Sequence, residues 1–286
     1  MLRFTDRMQR IIKEADNLAL SNVGQVVTPG HLLYACLNEK TGALGEIRLK
    51  ISLDLNVLKS VVSNTENFSY SPSRYFNSMI SEEAARIFDV AKTHMNHYNQ
   101  IYLNEDHLLK ALLKSGTVDY LITDEDKQMI ITLGTTSRDM ITHLKDYTFP
   151  VTPTETIQKV SKKDENLLTD FIENHFPNWL HTVQQAFLSN KQNIYIACND
   201  ADEIIGFACY DTYQNKKGYF GPMGVAEDCR IKGIGSSLLH HCLRDMKEIG
   251  YEYAIIGGAG PLEFYEKTCG AVVIPMMEGT RCKKTS

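Results

Sequence analysis

The chain has 286 residues, of which 43% are hydrophobic and 23% are charged, and its formal net charge is −5. This composition excludes a disordered, collagen-like or low-complexity protein, because it supplies enough apolar side chains for buried cores. At roughly 100–200 residues per domain, the length predicts two domains. The lack of a basic excess argues against nucleic acid as a partner.

The seven cysteines are dispersed along the chain and form no C-x-x-C pair. Their number and spacing argue against a disulfide framework and a thiolate zinc site, and they favour reduced thiols in the cytoplasm. The first residues turn polar at Arg3, Thr5 and Asp6, so we expect no signal peptide. No apolar run approaches the ~20 residues of a membrane span, so we expect no membrane partner.

The first half of the sequence contains an internal repeat. Thr5–Ala15 (T-D-R-M-Q-R-I-I-K-E-A) matches Ser81–Ala91 (S-E-E-A-A-R-I-F-D-V-A), and His31–Leu37 matches His107–Leu113. Both matches have the same offset of 76 residues, so that residue 81 corresponds to residue 5 and residue 107 to residue 31. The helical spacing of the apolar residues predicts two packed bundles of about four helices each.

These residues resemble the duplicated N-terminal domain of the Clp ATPases, over residues 1–145. The resemblance implies a docking module that binds adaptors or substrate proteins, and in some members phosphoarginine, through a pocket in each repeat. It assigns that pocket to Ser81 and Asp106 in the second repeat, whereas the first repeat keeps Thr5 but has Gly30 in place of the acid. The chain has no G-x-x-x-x-G-K-[ST] phosphate loop, so we do not expect an unfoldase.

Several residues of the helical domain also have a purely structural interpretation. Thr5 and Ser81 are N-cap residues by position, whether or not they also bind a ligand. We expect His31 and His107 to be buried, hydrogen-bonded core residues. His94 and His97 are spaced for one helix face, but no third ligand is apparent, so we expect no metal site.

A stretch with two prolines and three threonines, Asp146–Thr154, predicts an extended linker. We therefore divide the chain into a helical domain at 1–145, a linker at 146–155 and a second domain at 156–286. Apolar patterns in the second half predict the order β-α-α-β-β-β-α-β-α-β. The overall prediction is an all-α duplicated helical bundle followed by an α/β domain, and we expect residues 155–286 to fold and function alone.

A glycine-containing loop lies between a predicted strand and a predicted helix in the second half. It contains Arg230, Gly233 and Gly235 in the pattern R-x-x-G-x-G. Glycines allow backbone N–H groups to approach a phosphate closely, and the N-terminus of the following helix attracts anions. The G-x-G-x-x-G fingerprint of dinucleotide-binding proteins is absent.

The order of strand, R-x-x-G-x-G loop, amphipathic helix, strand and then Phe264-Tyr265-Glu266-Lys267 resembles the GNAT acetyltransferases, over residues 155–280. The resemblance implies a mixed, splayed central sheet flanked by helices, with acetyl-CoA as co-substrate and no metal. It assigns Tyr265 to protonation of the departing thiolate. The residues it assigns to cofactor binding are Gly224, Val225, Arg230, Ile231, Lys232, Gly233, Ile234, Gly235 and Ser236.

The acetyl acceptor is less well defined by the sequence. A primary amine must lose a proton before it attacks, and the candidate bases are Glu173, His175, Asp211 and Glu227. Trp179 lines the acceptor site or belongs to the core. We expect a small amine or an aminosugar as acceptor in preference to a protein lysine.

The leading interpretation is a cytoplasmic, bacterial, acetyl-CoA-dependent N-acetyltransferase with a Clp-type docking domain. In the alternative interpretation, the protein is a non-catalytic, acyl-CoA-binding adaptor or regulator of a Clp protease system. Turnover distinguishes them, because only the first releases free thiol in the presence of amines.

Overall fold

The computed structural model describes residues 2–22, 24–63, 69–151, 157–189, 191–230 and 233–276. The chain forms two compact units. The first contains the residues up to Ser137 together with Pro275 and Met276, and the second contains Arg138–Ile274.

The first unit is mainly helical, as predicted. Its helices are α1 (Asp6–Leu20), α2 (Pro29–Asn38), α3 (Gly42–Lys50), α4 (Leu55–Ser63), α5 (Glu82–His97), α6 (Glu105–Ser115) and α7 (Asp124–Gly134). Three short strands, β1 (Val26–Val27), β2 (Tyr70–Ser71) and β3 (Met79–Ser81), form a sheet in the order β1-β3-β2 that the sequence did not predict. Within the described residues the first repeat has four α-helices and the second has three.

The predicted repeat is visible in the backbone pairing. Val27 pairs with Ile80 in parallel, and Phe4 pairs with Leu103 in parallel at positions shifted by the repeat offset. Each repeat therefore pairs the residues before its first helix with the residues before the other repeat's second helix. The hydroxyls of Thr5 and Ser81 each accept a 3.2 Å hydrogen bond from a backbone N–H of the helix they cap, as predicted.

The paired histidines are buried residues that cap the second helix of each repeat, as expected. In His31 and His107, Nδ1 accepts a 3.2 Å hydrogen bond from the backbone N–H of Thr28 and Asn104, respectively. Burial lowers the pKa of His31 to about 4 and that of His107 to about 3. Both rings are therefore neutral at physiological pH.

The second unit is a mixed sheet flanked by helices, as predicted. Its strands are β4 (Arg138–His143), β5 (Ile157–Lys159), β6 (Ile194–Cys198), β7 (Ile204–Tyr210), β8 (Tyr219–Val225), β9 (Tyr253–Ala259) and β10 (Val272–Val273). Its helices are α8 (Glu165–His175), α9 (Leu180–Phe187), α10 (Ile234–Ile249) and α11 (Leu262–Cys269).

The seven strands lie in the order β10-β4-β9-β8-β7-β6-β5. Only β8 and β9 pair in parallel among these neighbours. One apolar cluster packs α10 and α11 against one face of the sheet, and a second packs α8 and α9 against the other face. The parallel pair therefore lies in the interior of the sheet, between two antiparallel halves.

Strand β4 corrects the expectation that residues 1–145 are all helical. It lies between β9 and β10, with Arg138, Met140 and Thr142 buried and the alternate residues facing outward. The Arg138 guanidinium donates to the backbone carbonyl of Ile274 at 2.9 Å, and the Thr142 hydroxyl donates to that of Cys269 at 2.6 Å. These contacts place the start of the second unit at Arg138, before the linker proposed at 146–155.

The part of the proposed linker that the structure describes packs on the second unit. The Tyr147 hydroxyl donates to the backbone carbonyl of Thr268 at 3.1 Å, and the Tyr147 and Phe149 rings make an edge contact at 5.0 Å. Aromatic side chains in this stretch favour packing over an extended linker. Residues 152–156 lie outside the described part of the chain.

A carboxylate on α10 joins that helix to three strands. Asp245 accepts hydrogen bonds from the Tyr195 hydroxyl at 2.9 Å, the Tyr210 hydroxyl at 2.8 Å and the Lys159 ammonium at 2.6 Å. Burial alone would raise the pKa of Asp245, but these donors outweigh it and the pKa is lowered. The network therefore stabilises the fold in the ionised form.

We expect Asp245→Ala to lower the free energy of unfolding by about 2–3 kcal/mol at neutral pH, because it removes hydrogen bonds to a charged group. Since the folded-state pKa is depressed, this stabilisation exists above the unfolded-state pKa, near 4, and is lost as the pH falls below it. Urea unfolding at neutral pH and at about pH 3 checks both points. A difference between wild type and variant that stays constant with pH would contradict the assignment.

Candidate active site

The parallel strands β8 and β9 separate after a single short stretch of pairing. Their last pair is Phe220 with Ile256, whereas β8 remains paired with β7 as far as Val225. The Ile255 N–H donates to the Gly218 carbonyl. In a parallel ladder with this register, the next residue of β8 after Phe220 whose N–H would donate to β9 is residue 222. That residue is Pro222, which has no N–H, and the ladder ends there.

Both strands carry a bulge at this point. Two residues of β8, Gly221 and Pro222, lie between its paired residues Phe220 and Met223, where β7 has only one residue. Two residues of β9, Gly257 and Gly258, likewise lie between its paired residues Ile256 and Ala259, where β4 has only one residue. A bulge bends a strand and increases its twist, so the two strands diverge. We call the opening between residues 221–225 and 257–259 the splay.

Aromatic side chains pack against the β8 wall of the splay. A Cβ at Gly224 would lie 2.6 Å from the Phe176 ring, so this position requires glycine. The Phe176 ring stacks on Trp179 at 5.3 Å, and both rings contact Phe207 on β7. Trp179 is therefore part of a half-buried aromatic cluster beside the splay.

The loop after β8 is held by its own arginine. The Ala226 N–H donates to the Ile205 carbonyl at 2.8 Å, and the Arg230 Nε donates to the Val225 carbonyl at 3.0 Å. Burial lowers the pKa of Arg230, whose guanidinium still remains charged at neutral pH. Ile231 and Lys232, two of the predicted cofactor residues, lie outside the described residues.

Helix α10 begins at the end of this loop, at the mouth of the splay. Gly233 is its N-cap with φ +77°, and its carbonyl accepts the first helical hydrogen bond from the Ser237 N–H at 3.0 Å. The N–H groups of Ile234, Gly235 and Ser236 therefore belong to the first turn, where no intrahelical partner exists. Such a helix start attracts phosphate groups through these donors and the helix dipole.

Gly235 has no internal packing reason to be glycine. A Cβ there would make ordinary contacts of 3.7 Å with Phe264 and 3.8 Å with Val225. A small side chain at this position would therefore fit without disturbing the protein's own packing.

Tyr265 lies on α11, beside the apex of the splay. Its ring makes an edge contact at 6.3 Å with Phe220, the last residue of β8 that pairs with β9. Only 8% of the residue is exposed, and burial raises the pKa of the phenol. The phenol is therefore protonated at neutral pH and can serve as a proton donor.

The structure does not bring the four candidate bases together. Glu173 and His175 are exposed in the last turn of α8, and Glu227 is exposed in the turn after β8. Asp211 is buried and accepts hydrogen bonds from the Gly218 N–H at 2.7 Å and the Tyr251 hydroxyl at 2.8 Å, which assigns it a structural role. Asp211 also borders an open groove of about 690 Å³. Residues of α9, of the turn that follows it and of the segment 211–217 line this groove.

One carboxylate bonded to the β9 wall of the splay was missed by the sequence analysis. Asp139 on β4 accepts a hydrogen bond from the Gly258 N–H, in the β9 bulge, at 2.8 Å. The segment had been assigned to the helical domain. The sequence of this strand, R-D-M-I-T-H, does not alternate between apolar and polar residues, so the period-two alternation appears only in the burial of its side chains.

The two predicted docking residues have separate local surroundings in the first unit. Ser81 caps α5, and its strand pairs with β1, which leads to α2. Asp106 pairs with Lys110 at 2.9 Å on its own helix, and burial raises its pKa despite that partner. Among the described residues, no group of three or more His, Cys, Asp or Glu side chains could hold a metal ion.

Comparison with known proteins matches each unit to a different family. Residues 3–124 match the Clp repeat (R) N-terminal domain, and residues 164–271 match the acetyltransferase (GNAT) family. The chain therefore joins a Clp repeat domain to a GNAT acetyltransferase domain. Strand β4 lies outside both matched ranges.

Individual relatives are distant. The chain is 22% identical to the chaperone protein ClpB of Rhodopirellula baltica over 140 residues. The aligned region covers 49% of this chain and 15% of ClpB. A GCN5-related N-acetyltransferase from Sphaerobacter thermophilus has 19% identity and a TM-score of 0.40, covering 53% of this chain and 54% of that one. The N-terminal domain of ClpD from Arabidopsis thaliana has 19% identity and a TM-score of 0.31, and the match covers 46% of this chain and 87% of that one. No helix in the described ranges has the length and apolar character needed to cross a membrane.

Proposed function

We propose that the protein transfers the acetyl group of acetyl-CoA to a primary amine. The observation that carries this proposal is the splay, which opens between two interior strands and has the start of α10 at its mouth. A narrow ligand arm can enter the splay while its phosphates remain at the helix start.

The chain offers main-chain and side-chain groups to acetyl-CoA. The N–H groups of Ile234, Gly235 and Ser236 would hold the pyrophosphate, and the backbone of Val225 would pair with the pantetheine arm. The backbone of Gly224, proposed for the same role, is instead turned towards Phe207 on β7. Arg230 adds positive charge and keeps the loop in shape through its bond to Val225. The remaining loop residues of the proposed site are Ile231, Lys232 and Gly233.

The transfer requires three proton movements, because the nitrogen loses one proton before the attack and a second one after it, while the departing thiolate gains one. The acceptor ammonium first loses a proton to solvent or a base, and the free amine then attacks the thioester carbonyl. A carbon–nitrogen bond forms and the carbon–sulfur bond breaks. Tyr265 would donate its proton to the departing thiolate as the carbon–sulfur bond breaks, and it would recover a proton from the new amide nitrogen through solvent.

We expect Tyr265→Phe to lower kcat about 100-fold, because the phenol proton is lost while the ring remains. The affinity for acetyl-CoA should change less than about twofold, since the ring packing against Phe220 is preserved. Thiol release and isothermal titration measure the two quantities. Tyr253→Phe, at a half-exposed tyrosine at the start of β9, is the matched control. A Tyr265→Phe variant with wild-type kcat would remove the phenol from the mechanism.

The acceptor is proposed to be a small amine or an aminosugar, and less readily a protein lysine. We place the enzyme in the cytoplasm. The rival function is a non-catalytic, acyl-CoA-binding adaptor or regulator of a Clp protease system. Titration with acetyl-CoA followed by thiol release over a panel of amines separates the two, because binding without turnover on any amine would favour the rival.

We propose that the helical unit is a docking domain for a protein partner or for phosphoarginine, with Ser81 and Asp106 as its ligand residues. We expect any phosphoarginine affinity to depend on Asp106 more than on the first repeat, because Gly30 provides no carboxylate there. A ligand guanidinium would have to displace Lys110 from Asp106. Titration of phosphoarginine into the full-length protein tests this role.

A further inference from the structure

Asp139 lies on β4, across β9 from β8, and a backbone bond ties it to the strand that forms one wall of the splay. Its Oδ1 accepts from the Gly258 N–H at 2.8 Å, and Gly258 has φ +58° in the bulge of β9. The backbone of Asp139 is also fixed, because its carbonyl accepts from the Ile274 N–H at 2.9 Å. The bulge therefore orients the carboxylate while the residue itself stays exposed.

The second carboxylate oxygen of Asp139 has no hydrogen-bond partner within the described part of the chain. Close by, Tyr219 lies across β9, since a Cβ at Gly257 would fall 1.4 Å from its hydroxyl oxygen. Burial and then the Asp139 charge raise the pKa of Tyr219 to about 12. Lys216 lies on the outer side of this tyrosine, with Nζ 5.3 Å from the ring centroid.

We propose that Asp139 is a specificity-determining residue that binds the positively charged amine of the acetyl acceptor beside the splay, on the β4 side of β9. The inference rests on the proposed acetyltransferase function and assigns the acceptor class as a cationic primary amine. A carboxylate forms a charge-assisted hydrogen bond with an ammonium, and the fixed Oδ1 reduces the entropy lost on binding.

The geometry favours Asp139 over the other carboxylates considered. Asp211 is buried and already accepts from Gly218 and Tyr251. Glu173 lies at the exposed end of α8 and Glu227 lies in the short turn after β8, and neither accepts a hydrogen bond from β9 among the described residues. Asp139 combines an accessible oxygen with direct attachment to the bulge that opens the splay.

The discriminating variant is Asp139→Asn in the full-length protein, because the amide oxygen can still accept from Gly258 while the charge is lost. Two acceptors are compared at neutral pH, n-butylamine, which is cationic, and hydroxylamine, which is uncharged. We expect the KM for n-butylamine to rise at least about tenfold, which corresponds to about 1.4 kcal/mol. The kcat, the acetyl-CoA Kd and the KM for hydroxylamine should change less than about twofold.

The control is Asp170→Asn, which makes the same charge change at an exposed position on α8 and should leave every constant unchanged. Wild-type kinetics in Asp139→Asn would overturn the inference while the acetyltransferase function stands. An equal rise in KM for both acceptors would also overturn it, since charge recognition would be absent. A wild-type protein that binds no acetyl-CoA, or that acetylates no amine, would overturn the proposed function itself.

Discussion

A fragment comprising residues 138–274 is expected to fold cooperatively and to bind acetyl-CoA, whereas a fragment of residues 155–286 is expected to be insoluble or unfolded. The difference is β4, which lies between β9 and β10 and carries the buried side chains of Arg138, Met140 and Thr142. Without β4, the N–H and C=O groups of β9 are exposed along an apolar edge and β10 has no partner.

Circular dichroism, thermal unfolding and titration with acetyl-CoA measure the outcome for both fragments. The fragment 144–274, which lacks only β4, is the matched control and should fail in the same way as 155–286. A folded, cofactor-binding 155–286 fragment would show that β4 is dispensable. The division of the chain proposed from its sequence would then be the functional one.

Gly235→Asp is expected to reduce acetyl-CoA affinity by at least about 100-fold. The new carboxylate would lie at the helix start that holds the pyrophosphate, where it adds like charge and occupies the space that glycine leaves open. The fold should survive, because a Cβ at this position makes only ordinary contacts with Phe264 and Val225. Isothermal titration and thermal unfolding separate loss of binding from loss of structure.

Gly235→Ala is the matched control for folding. Alanine in place of glycine in a helix stabilises it by about 0.5–1 kcal/mol, so the variant should unfold at or above the wild-type temperature. Equal acetyl-CoA affinity in wild type and Gly235→Asp would place the pyrophosphate elsewhere and remove the main support for the site.

The local features of the fold were predictable because their signals are local. The R-x-x-G-x-G loop and the amphipathic pattern after it predict α10, and the structure has that helix with Gly233 as its N-cap. The constant offset between the repeats predicts equivalent helices, and α1 and α5 begin at equivalent positions, Asp6 and Glu82. Short-range spacing is sufficient for both.

The site was less predictable where it depends on distant pairing. Strand β4 has only six residues, begins with a buried arginine, and finds its partners more than a hundred residues later. Asp139 was consequently not a candidate. Pro222 was visible as an interruption of a strand, but its effect on the ladder requires knowing that β9 is the parallel neighbour.

The first and last segments of the acetyltransferase unit are adjacent strands. Val273 pairs with Met140, and Ile274 is bonded to both Arg138 and Asp139, so the unit is entered and left at one place. The chain then returns to the helical unit, where the Met276 N–H donates to Glu46 at 2.9 Å. Topologically, the acetyltransferase unit is a closed loop inserted into the helical unit. Its unfolding would release a long flexible loop between Ser137 and Pro275, and the entropy of closing that loop opposes the docking of Met276.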